Sequence, residues 1–584
     1  MPSLDISNFN IVVSVLGGWV SLFGLVSYLL KENFYLSEAL ISLLAGITFG
    51  PLALNWVRPL EYAGTTDNVD DVTLVFTRLV LGVQLVLAGV QLPSRYLKKE
   101  WKPLSLLLGP IMVAMWLATS LLVWALIPHL PFLHALAIGA CVTPTDPVLS
   151  NVIVKGKFAD HNIPKDLQKI IIAESGANDG LGYPFLFLAL YLIKYIGDGG
   201  VAESGGSGLA IGLWFGETWG YTIILSTIYG AVVGWVAKQL LRYCEDHKFV
   251  DRESFLVFAL SLALFITGTC GLIGSDDILA CFIAGNVFTW DDWFRLATLD
   301  ETRAVSALLT LNPDHSSLQP TIDMLLNVTI FIWYGAICPW RSFVDNNVVP
   351  ISRLIPLGLL VLLLRRPPFI LGIHKKIPQI EDIRQATFMG FFGPIGCSAI
   401  FYLYITINFV RTLNLGGGAT PREDVKNLEE TVNVVVWFMV ITSVVVHGLS
   451  IPLGKLGFRL PRTISRNIST ERTSFQVGHL INDVRLPRSR SRSRIDRNAS
   501  GPLNPPPGQV FTIGGSVIVP QVPIEALQSP SLRDGPQAED RHGVAPGLAV
   551  TEPQPAAQSS VPPSRTVKFP GEGNSDPRRQ QAEV

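Results

Sequence analysis

The sequence predicts an all-α membrane protein of about thirteen transmembrane helices, with inverted repeats, two broken helices and a disordered C-terminal tail. Of its 584 residues, 49% are hydrophobic and only 16% are charged, whereas soluble domains carry about a quarter charged residues. Apolar runs long enough to cross a bilayer recur through residues 1–460. Residues 461–584 are rich in Pro and contain no Trp or Cys, so we expect a largely disordered regulatory tail there.

Charge and cysteine content exclude several other classes. The formal net charge is −1, which gives no reason to expect a nucleic-acid partner. The six cysteines are scattered and show no CxxC spacing, so we expect neither a disulfide framework nor a zinc site. We expect no bound cofactor.

The predicted spans follow from the apolar runs. The ninth run is short, and the first lies close to the N-terminus. In chain order the runs lie near 10–30, 36–57, 72–92, 104–127, 132–154, 167–195, 219–241, 254–273, 277–290, 321–339, 350–373, 385–410 and 430–454.

The loops predict the orientation of the chain. Lys and Arg are frequent in loops 93–103, 155–166 and 374–384 and at the start of the tail. Thirteen spans place all of these segments on one side of the membrane, and basic loops mark the cytoplasmic side. We therefore expect a cytoplasmic C-terminus and an external N-terminus.

The fifth span contains the motif Thr143-Pro144-Thr145-Asp146-Pro147. Two prolines remove helical donors and free backbone carbonyls. A carboxylate at this depth costs at least ~2.5 kcal/mol and is functional by default. Broken helices of this kind form cation sites in secondary transporters. The alternative is a proline kink in which Asp146 only caps the second half-helix.

The sixth span contains Glu174-Ser-Gly-Ala-Asn-Asp-Gly180. Ser175 and Asp179 are four residues apart and share one helical face, while Glu174 and Asn178 share another. Two acids and two neutral oxygen ligands suit a hard cation such as Na⁺. A metal enzyme is less expected, because no His or Cys accompanies them. A structural polar network is the alternative.

Two later spans supply partners for these motifs. Arg365 and Arg366 lie in the eleventh span, and a buried arginine there needs an acid partner, for which Glu174 is the candidate. The twelfth span contains Phe391-Phe-Gly-Pro-Ile-Gly396, a second Gly/Pro interruption. Spans five and twelve are therefore predicted to be the two broken helices of an inverted repeat, which relates spans 4–6 to 11–13.

Two further segments allow two interpretations each. Asp276 and Asp277 begin the ninth span; they either mark a helix N-terminus at the interface or form part of the route by which ions enter. In the tail, serines alternate with arginines between Arg488 and Arg494. This stretch is either simply solvated or a regulatory site for kinases, adaptor proteins and anionic membrane lipids.

The motifs over residues 10–455 resemble those of the monovalent cation/proton antiporter superfamily, and most closely those of fungal plasma-membrane sodium/proton antiporters. The resemblance implies an elevator-type homodimer in which a six-helix core moves against a dimerisation domain. It also implies exchange of cytoplasmic Na⁺, with Li⁺ and K⁺ as further candidates, for external H⁺ in cation detoxification and pH homeostasis.

The same resemblance implies roles for individual residues. Asp179 matches the position that binds cation and proton in alternation, and Asp146, Ser175 and the backbone of Thr145 complete that site. Asn178 matches the Asn typical of electroneutral members and is a further candidate ligand. Glu174 is expected to pair with Arg365 or Arg366 of the eleventh span.

Two other classes compete with this interpretation. An intramembrane aspartyl protease would need a GxGD motif, which is missing from the sequence, and an intramembrane serine enzyme would need a Ser/His pair in facing spans. An ion channel usually presents a repeated pore loop, which the sequence also lacks. Antiport needs only a buried carboxylate that holds either a proton or a cation, since burial disfavours its bare charge.

Overall fold

The computed structural model describes residues 7–28, 36–154, 159, 162–196, 205–294, 296–297, 318–415, 425, 427–450, 511–513 and 516–518. The chain divides into two units, Met1–His479 and Leu480–Val584. The described helices all belong to the first unit. The predicted division at residues 460 and 461 stays a prediction.

The first unit is built from helices whose bounds follow the predicted spans. In chain order they are Asn8–Tyr28, Glu38–Phe49, Pro59–Ala63, Thr66–Gln91, Tyr96–Lys99, Trp101–Leu106, Met112–Leu126, Phe132–Cys141, Pro147–Val154, Lys165–Gly180, Tyr183–Ile196, Gly206–Leu213, Leu225–Asp246, Arg252–Ile273, Asp277–Phe288, Leu318–Ile337, Ile351–Leu364, Pro367–Ile373, Ile383–Phe391, Cys397–Leu415 and Asn427–Ser450. π-helical turns at Leu107–Ile111 and Trp214–Ile224 join their flanking helices, and 3₁₀ turns occur at Trp340–Phe343 and His374–Lys376.

Length and apolar composition make seven of the helical stretches able to cross a membrane. They correspond to the predicted spans one, three, four, six, seven, eleven and thirteen. Shorter apolar helices account for spans two, five, eight, nine, ten and twelve. Each predicted span therefore contains a helix, and the prediction of an all-α, multi-pass membrane protein is confirmed.

Helical structure is interrupted inside four spans of the described chain. The predicted breaks occur at 142–146 in the fifth span and 392–396 in the twelfth. Two more breaks, at 181–182 in the sixth span and 365–366 in the eleventh, lie in spans that the sequence analysis treated as continuous. Pro367 and Pro368 explain the break in the eleventh, because proline lacks a donor and clashes with the preceding turn.

Spans two, three, seven, nine and ten pack through small residues. The second span lies against the tenth, and the ninth lies between the third and the seventh. Gly230 and Gly234 of the seventh span contact the backbone of Ala280 and Ala284 in the ninth. A side chain at either glycine would separate the two helices, as expected where small residues form a membrane helix interface.

Spans four to six and eleven to thirteen form a second packed group. The fourth span contacts both the fifth and the eleventh, and the second half of the sixth contacts the first half of the fifth. Gly358 of the eleventh span faces Phe438 and Thr442 of the thirteenth. The second half of the twelfth span packs on the third and so joins this group to the first.

The second unit contains the two described strands, Phe511–Ile513 and Ser516–Ile518, which pair antiparallel with Phe511 opposite Ile518. Two glycines separate the strands, a sequence pattern typical of a two-residue hairpin turn. This pair of strands was not predicted from the sequence. The disorder predicted for the rest of the tail, including Arg488–Arg494, lies outside the described residues.

Candidate cation-binding site

The Asp146 carboxylate caps two half-helices at once. Its Oδ2 accepts the N–H of Leu149 at 2.8 Å, in the second half of the fifth span. Its Oδ1 accepts the N–H of Ser398 at 3.1 Å, in the second half of the twelfth. Its own N–H donates to the carbonyl of Pro394 at 3.0 Å. The two breaks therefore cross at Asp146, which is fully buried.

Thr145 is held in place by the sixth span. The Asn178 amide makes two bonds to it, since Oδ1 accepts the Thr145 N–H at 3.3 Å and Nδ2 donates to Thr145 Oγ1 at 2.8 Å. Ser175 Oγ lies 3.1 Å from Thr145 Oγ1 and 3.2 Å from Ser150 Oγ. These contacts satisfy polar groups that the break removes from the helix, and they fix the backbone of Thr145 beside Asp146.

Asp179 is buried, yet its carboxylate has no hydrogen-bonding partner within the described part of the chain. The residue is 1% exposed, and both Oδ1 and Oδ2 lack a bonded donor. Its charged neighbours are Asp146 and Asp276. The backbone is fixed instead, because the Tyr402 hydroxyl donates to the Asp179 carbonyl. The two acids of the site therefore differ, since Asp146 is fully bonded and Asp179 is not.

This arrangement offers oxygen ligands to a monovalent cation. Carboxylate and hydroxyl oxygens of the fifth and sixth spans lie near one another, and oxygen donors suit hard cations. No group of three or more His, Cys, Asp or Glu residues that could hold a metal ion occurs among the described residues. The buried carboxylate of Asp179 is a group that can hold either a proton or a monovalent cation.

Glu174 forms a buried ion pair with Arg366. Arg366 Nη1 lies 2.7 Å from Glu174 Oε1 and Nη2 lies 2.8 Å from Oε2, a bidentate contact. The two side chains are 2% and 3% exposed. Arg366 Nε also donates to the carbonyl of Met389 at 3.0 Å. The pair thus ties the sixth span to the eleventh and twelfth.

Arg365 has a different function, because its guanidinium donates to backbone carbonyls. One Nη group donates to Val142 in the break of the fifth span, and the other donates to Gly393 in the break of the twelfth. Carbonyls freed by broken helices need donors in a membrane. Arg365 therefore satisfies backbone carbonyls in both breaks, whereas Arg366 pairs with Glu174.

The thirteenth span supports the second break. Ser443 Oγ accepts the N–H of Ile395 at 2.8 Å, and His447 Nε2 lies 3.0 Å from the carbonyl of Phe391. Ser443 Oγ and His447 Nδ1 are 3.1 Å apart. The two side chains together bridge the interruption between Phe391 and Ile395, as Asn178 and Ser175 do for the fifth span.

Asp276 and Asp277 separate in the structure. Asp277 binds Arg78 of the third span, with 2.7 Å between Oδ2 and Nε. Asp276 caps the ninth span through Oδ1, which accepts the Leu279 N–H at 3.0 Å. Its Oδ2 is buried without a hydrogen-bonding partner among the described residues and faces Gly180 of the sixth span. Asp276 therefore lies on the side of Asp179, and Asp277 belongs to a separate ion pair.

Three contributors to the site escaped the sequence analysis. Ser398, Ser443 and Tyr402 are buried and carry no charge. The high cost of burying a charge in a membrane, which identifies the acids and arginines, therefore does not identify them. Ser398 had a weak signal, because it follows the Gly/Pro interruption of the twelfth span by two residues. The contact of Tyr402 with the Asp179 carbonyl has no signal in the sequence.

Broken helices that cross around buried carboxylates, within a multi-pass helical bundle, are the arrangement that places ion sites in secondary transporters. The sequence matches the profile of the transmembrane sodium/hydrogen exchanger family over residues 20–453. The chain therefore belongs to the sodium/hydrogen exchanger family.

Fungal relatives support this membership. The chain is 34% identical over 551 residues to Na(+)/H(+) antiporter 2 of Zygosaccharomyces rouxii, covering 92% of this chain and 64% of that protein. It is 35% identical to the Na(+)/H(+) antiporter of Saccharomyces cerevisiae, covering 84% of this chain and 49% of that protein. It is 30% identical to a Na(+)/H(+) antiporter of Schizosaccharomyces pombe, covering 77% of this chain and 90% of that protein. The chain thus spans 64% and 49% of the length of the first two relatives.

A solved structure supports the fold. The sodium proton antiporter MjNhaP1 from Methanocaldococcus jannaschii, at pH 8, aligns with a TM-score of 0.53 and 16% sequence identity. The alignment covers 76% of this chain and all of that one. At this identity the likeness establishes a shared helical architecture.

We predict that Asp146→Asn and Asp179→Asn affect stability differently. An amide at 146 cannot accept both N–H groups, so one buried donor loses its partner, at a cost of about 1–3 kcal/mol. An amide at 179 removes a buried charge that has no partner, so the variant should be as stable as the wild type or more so. Thermal unfolding of both purified variants measures this. Equal destabilisation of the two variants would contradict the claim that only the Asp146 carboxylate is held by hydrogen bonds.

We predict that Glu174→Ala lowers stability by roughly 3–5 kcal/mol, because it leaves Arg366 charged and unpaired in the membrane. Replacing Glu174 and Arg366 together by neutral residues should recover part of the loss. Asp166→Ala is the matched control: Asp166 lies on the same helix in an exposed pair with Lys169, and such pairs contribute about 0–1 kcal/mol. Thermal unfolding checks all three variants, and equal losses in the single and double variants would argue against the pairing.

Proposed function

We propose that the protein is a secondary active antiporter, and not an enzyme, that exchanges cytoplasmic Na⁺ for external H⁺. Family membership and the activity named for the fungal relatives support this function. The observation that carries the proposal is the buried Asp179 carboxylate, whose two oxygens have no hydrogen-bonding partner in the described structure. A bare carboxylate at this depth is unstable, so it needs a proton or a cation.

The mechanism requires only competition for Asp179. A bound Na⁺ neutralises the carboxylate on the cytoplasmic side and leaves when a proton replaces it on the external side. A site that carries uncompensated charge is costly to move through a membrane. That cost suppresses movement of the empty site and therefore suppresses leak. Asp146 lies among the charges that act on Asp179, so the state with both acids charged and no cation is the least stable.

The other residues near the two helix breaks are proposed to position the ion. Asp146 supplies fixed negative charge and holds both half-helices, while Ser175 and the backbone oxygen of Thr145 are proposed as further ligands. Asn178 is a candidate ligand as well, although its amide already makes two bonds to Thr145. We propose no cofactor, since the only bound species needed are the transported Na⁺ and H⁺.

The substrate range extends the proposal. A site made of oxygens suits Li⁺ as well as Na⁺, and K⁺ is a further candidate. Asn178 beside Asp179 favours electroneutral exchange by resemblance to electroneutral members of the superfamily. The biological function that follows is the removal of toxic cations and control of cytoplasmic pH.

Asp276 is the proposed point at which ions reach Asp179. It is buried, it interacts electrostatically with Asp179, and its Oδ2 has no bonded partner in the described chain. A Cβ placed on Gly180 would lie 3.0 Å from that oxygen, so the acid directly adjoins the sixth span. Asp277, paired with Arg78, then holds the start of the ninth span next to this route.

The proposed assembly is a homodimer in the plasma membrane, with a cytoplasmic C-terminus. The first span supports it, because only 6% of Asn8–Val26 is buried within the chain. That apolar helix needs a second copy or lipid to cover it. The basic loops at 93–103 and 374–384 support a cytoplasmic location for the tail, where kinases or adaptor proteins would reach it.

We predict that Asp179→Asn abolishes Na⁺/H⁺ exchange in proteoliposomes, since an amide cannot release a proton or neutralise the ion. Asp251→Asn is the matched control, because Asp251 caps a helix from a solvent-exposed loop and Asn caps equally well. Flux is measured with Na⁺, Li⁺ and K⁺ in turn, with and without a clamped potential. Appreciable proton-coupled Na⁺ flux through a folded Asp179→Asn protein would refute the function.

We predict that truncation after residue 465 leaves exchange intact, because the described site needs no residue of the tail. In cells the truncation should instead alter abundance, trafficking or the response to pH. Each phosphate on the serines between Arg488 and Arg494 would subtract roughly 1.5–2 charges, so these are the expected modified positions. Flux of the purified, truncated protein decides the matter, and complete loss at every pH would make the tail part of the transport machinery.

A further inference from the structure

Ser398 lies at the start of the second half of the twelfth span, against both acids of the site. The residue is 1% exposed, and its backbone N–H donates to Asp146 Oδ1 at 3.1 Å. Its hydroxyl lies within hydrogen-bonding reach of the carboxylates of Asp146 and Asp179. Even so, Ser398 Oγ makes no hydrogen bond that meets normal geometry with any described residue.

A serine near a helix N-terminus usually bonds its hydroxyl to nearby backbone. One turn earlier, the carbonyl of Pro394 instead receives the Asp146 N–H at 3.0 Å. The Ser398 hydroxyl lies near the Asp179 carboxylate. Among the described residues, three buried oxygens here lack a hydrogen bond of normal geometry: Ser398 Oγ and the two carboxylate oxygens of Asp179. They come from two elements, the sixth span and the second half of the twelfth.

We propose that the hydroxyl oxygen of Ser398 is a ligand of the transported cation, supplied by the second broken helix. This inference rests on the proposed function and adds a ligand to its site. A cation between Ser398 and Asp179 would satisfy all three oxygens at once. When a proton replaces the cation, Asp179 becomes a donor and Ser398 Oγ accepts its O–H, so each loaded state has a partner.

The competing explanation is that Ser398 acts only through its backbone, which caps Asp146. Ser398→Ala separates the two, because alanine keeps the N–H and removes only the hydroxyl. Ser398→Thr restores a hydroxyl at the same place. Ser226→Ala is the matched control, since Ser226 is also buried but its hydroxyl bonds to the carbonyl of Ile223 within its own span.

The experiment measures the KM for Na⁺ of the purified full-length chain in proteoliposomes, together with Na⁺-dependent thermal stabilisation in detergent. We expect Ser398→Ala to raise the KM and the half-saturating Na⁺ concentration about tenfold, with little change in maximal rate, as loss of one ligand worth about 1.4 kcal/mol predicts. Ser398→Thr should recover most of this affinity, and Ser226→Ala should match the wild type.

A wild-type KM and half-saturation in Ser398→Ala would overturn the inference. The inference would also be overturned if Ser398→Ala lost affinity together with a lower melting temperature and Ser398→Thr did not restore that affinity. If the alanine variant does not fold, Ser398→Cys keeps the size but offers sulfur, a poor ligand for Na⁺, and the same rise is expected. If Asp179→Asn is inactive and Ser398→Ala behaves like the wild type, only the proposal that Ser398 is a ligand fails. If the wild-type protein itself shows no exchange, the proposed function fails.

Discussion

One carboxylate organises the centre of this protein. Asp146 accepts one N–H group from the first turn of each of two half-helices, and its own N–H donates to the carbonyl of Pro394 in the break of the twelfth span. Both helix dipoles direct partial positive charge at it, which compensates a charge that would otherwise be unstable in a membrane. This shared cap joins the break of the fifth span to the break of the twelfth.

The surrounding charges fall into three separate tasks. Arg365 donates to backbone carbonyls of both breaks, and Glu174 with Arg366 joins the sixth span to the eleventh. These groups are fully partnered and therefore hold the scaffold. Asp179 is the acid of the crossing whose carboxylate has no bonded partner among the described residues. A group that is fixed by its backbone but unsatisfied at its carboxylate is suited to change its occupant while the scaffold stays in place.

Much of this was predictable because charge is costly in a membrane. The spans follow from apolar runs, and Asp146, Glu174, Asp179, Arg365 and Arg366 are conspicuous in them. The choice of Arg366 over Arg365 as the partner of Glu174 was not predictable, because it depends on the break between Leu364 and Pro367 turning the two side chains apart. Ser398 and Ser443 were missed for a related reason. Ser443 accepts a hydrogen bond from the distant backbone N–H of Ile395, the backbone N–H of Ser398 donates to the distant Asp146 carboxylate, and neutral hydroxyls in apolar runs give no such signal.

The central claim is that Asp179 holds either a proton or a cation. The most direct test is proton release on Na⁺ binding, measured with purified protein in weakly buffered detergent solution at a pH where the site is protonated. Binding should release about one proton per site in the wild type, as linkage between the two ligands requires, and none in Asp179→Asn. Na⁺ binding to the wild type without proton release, or undiminished release from Asp179→Asn, would contradict the account.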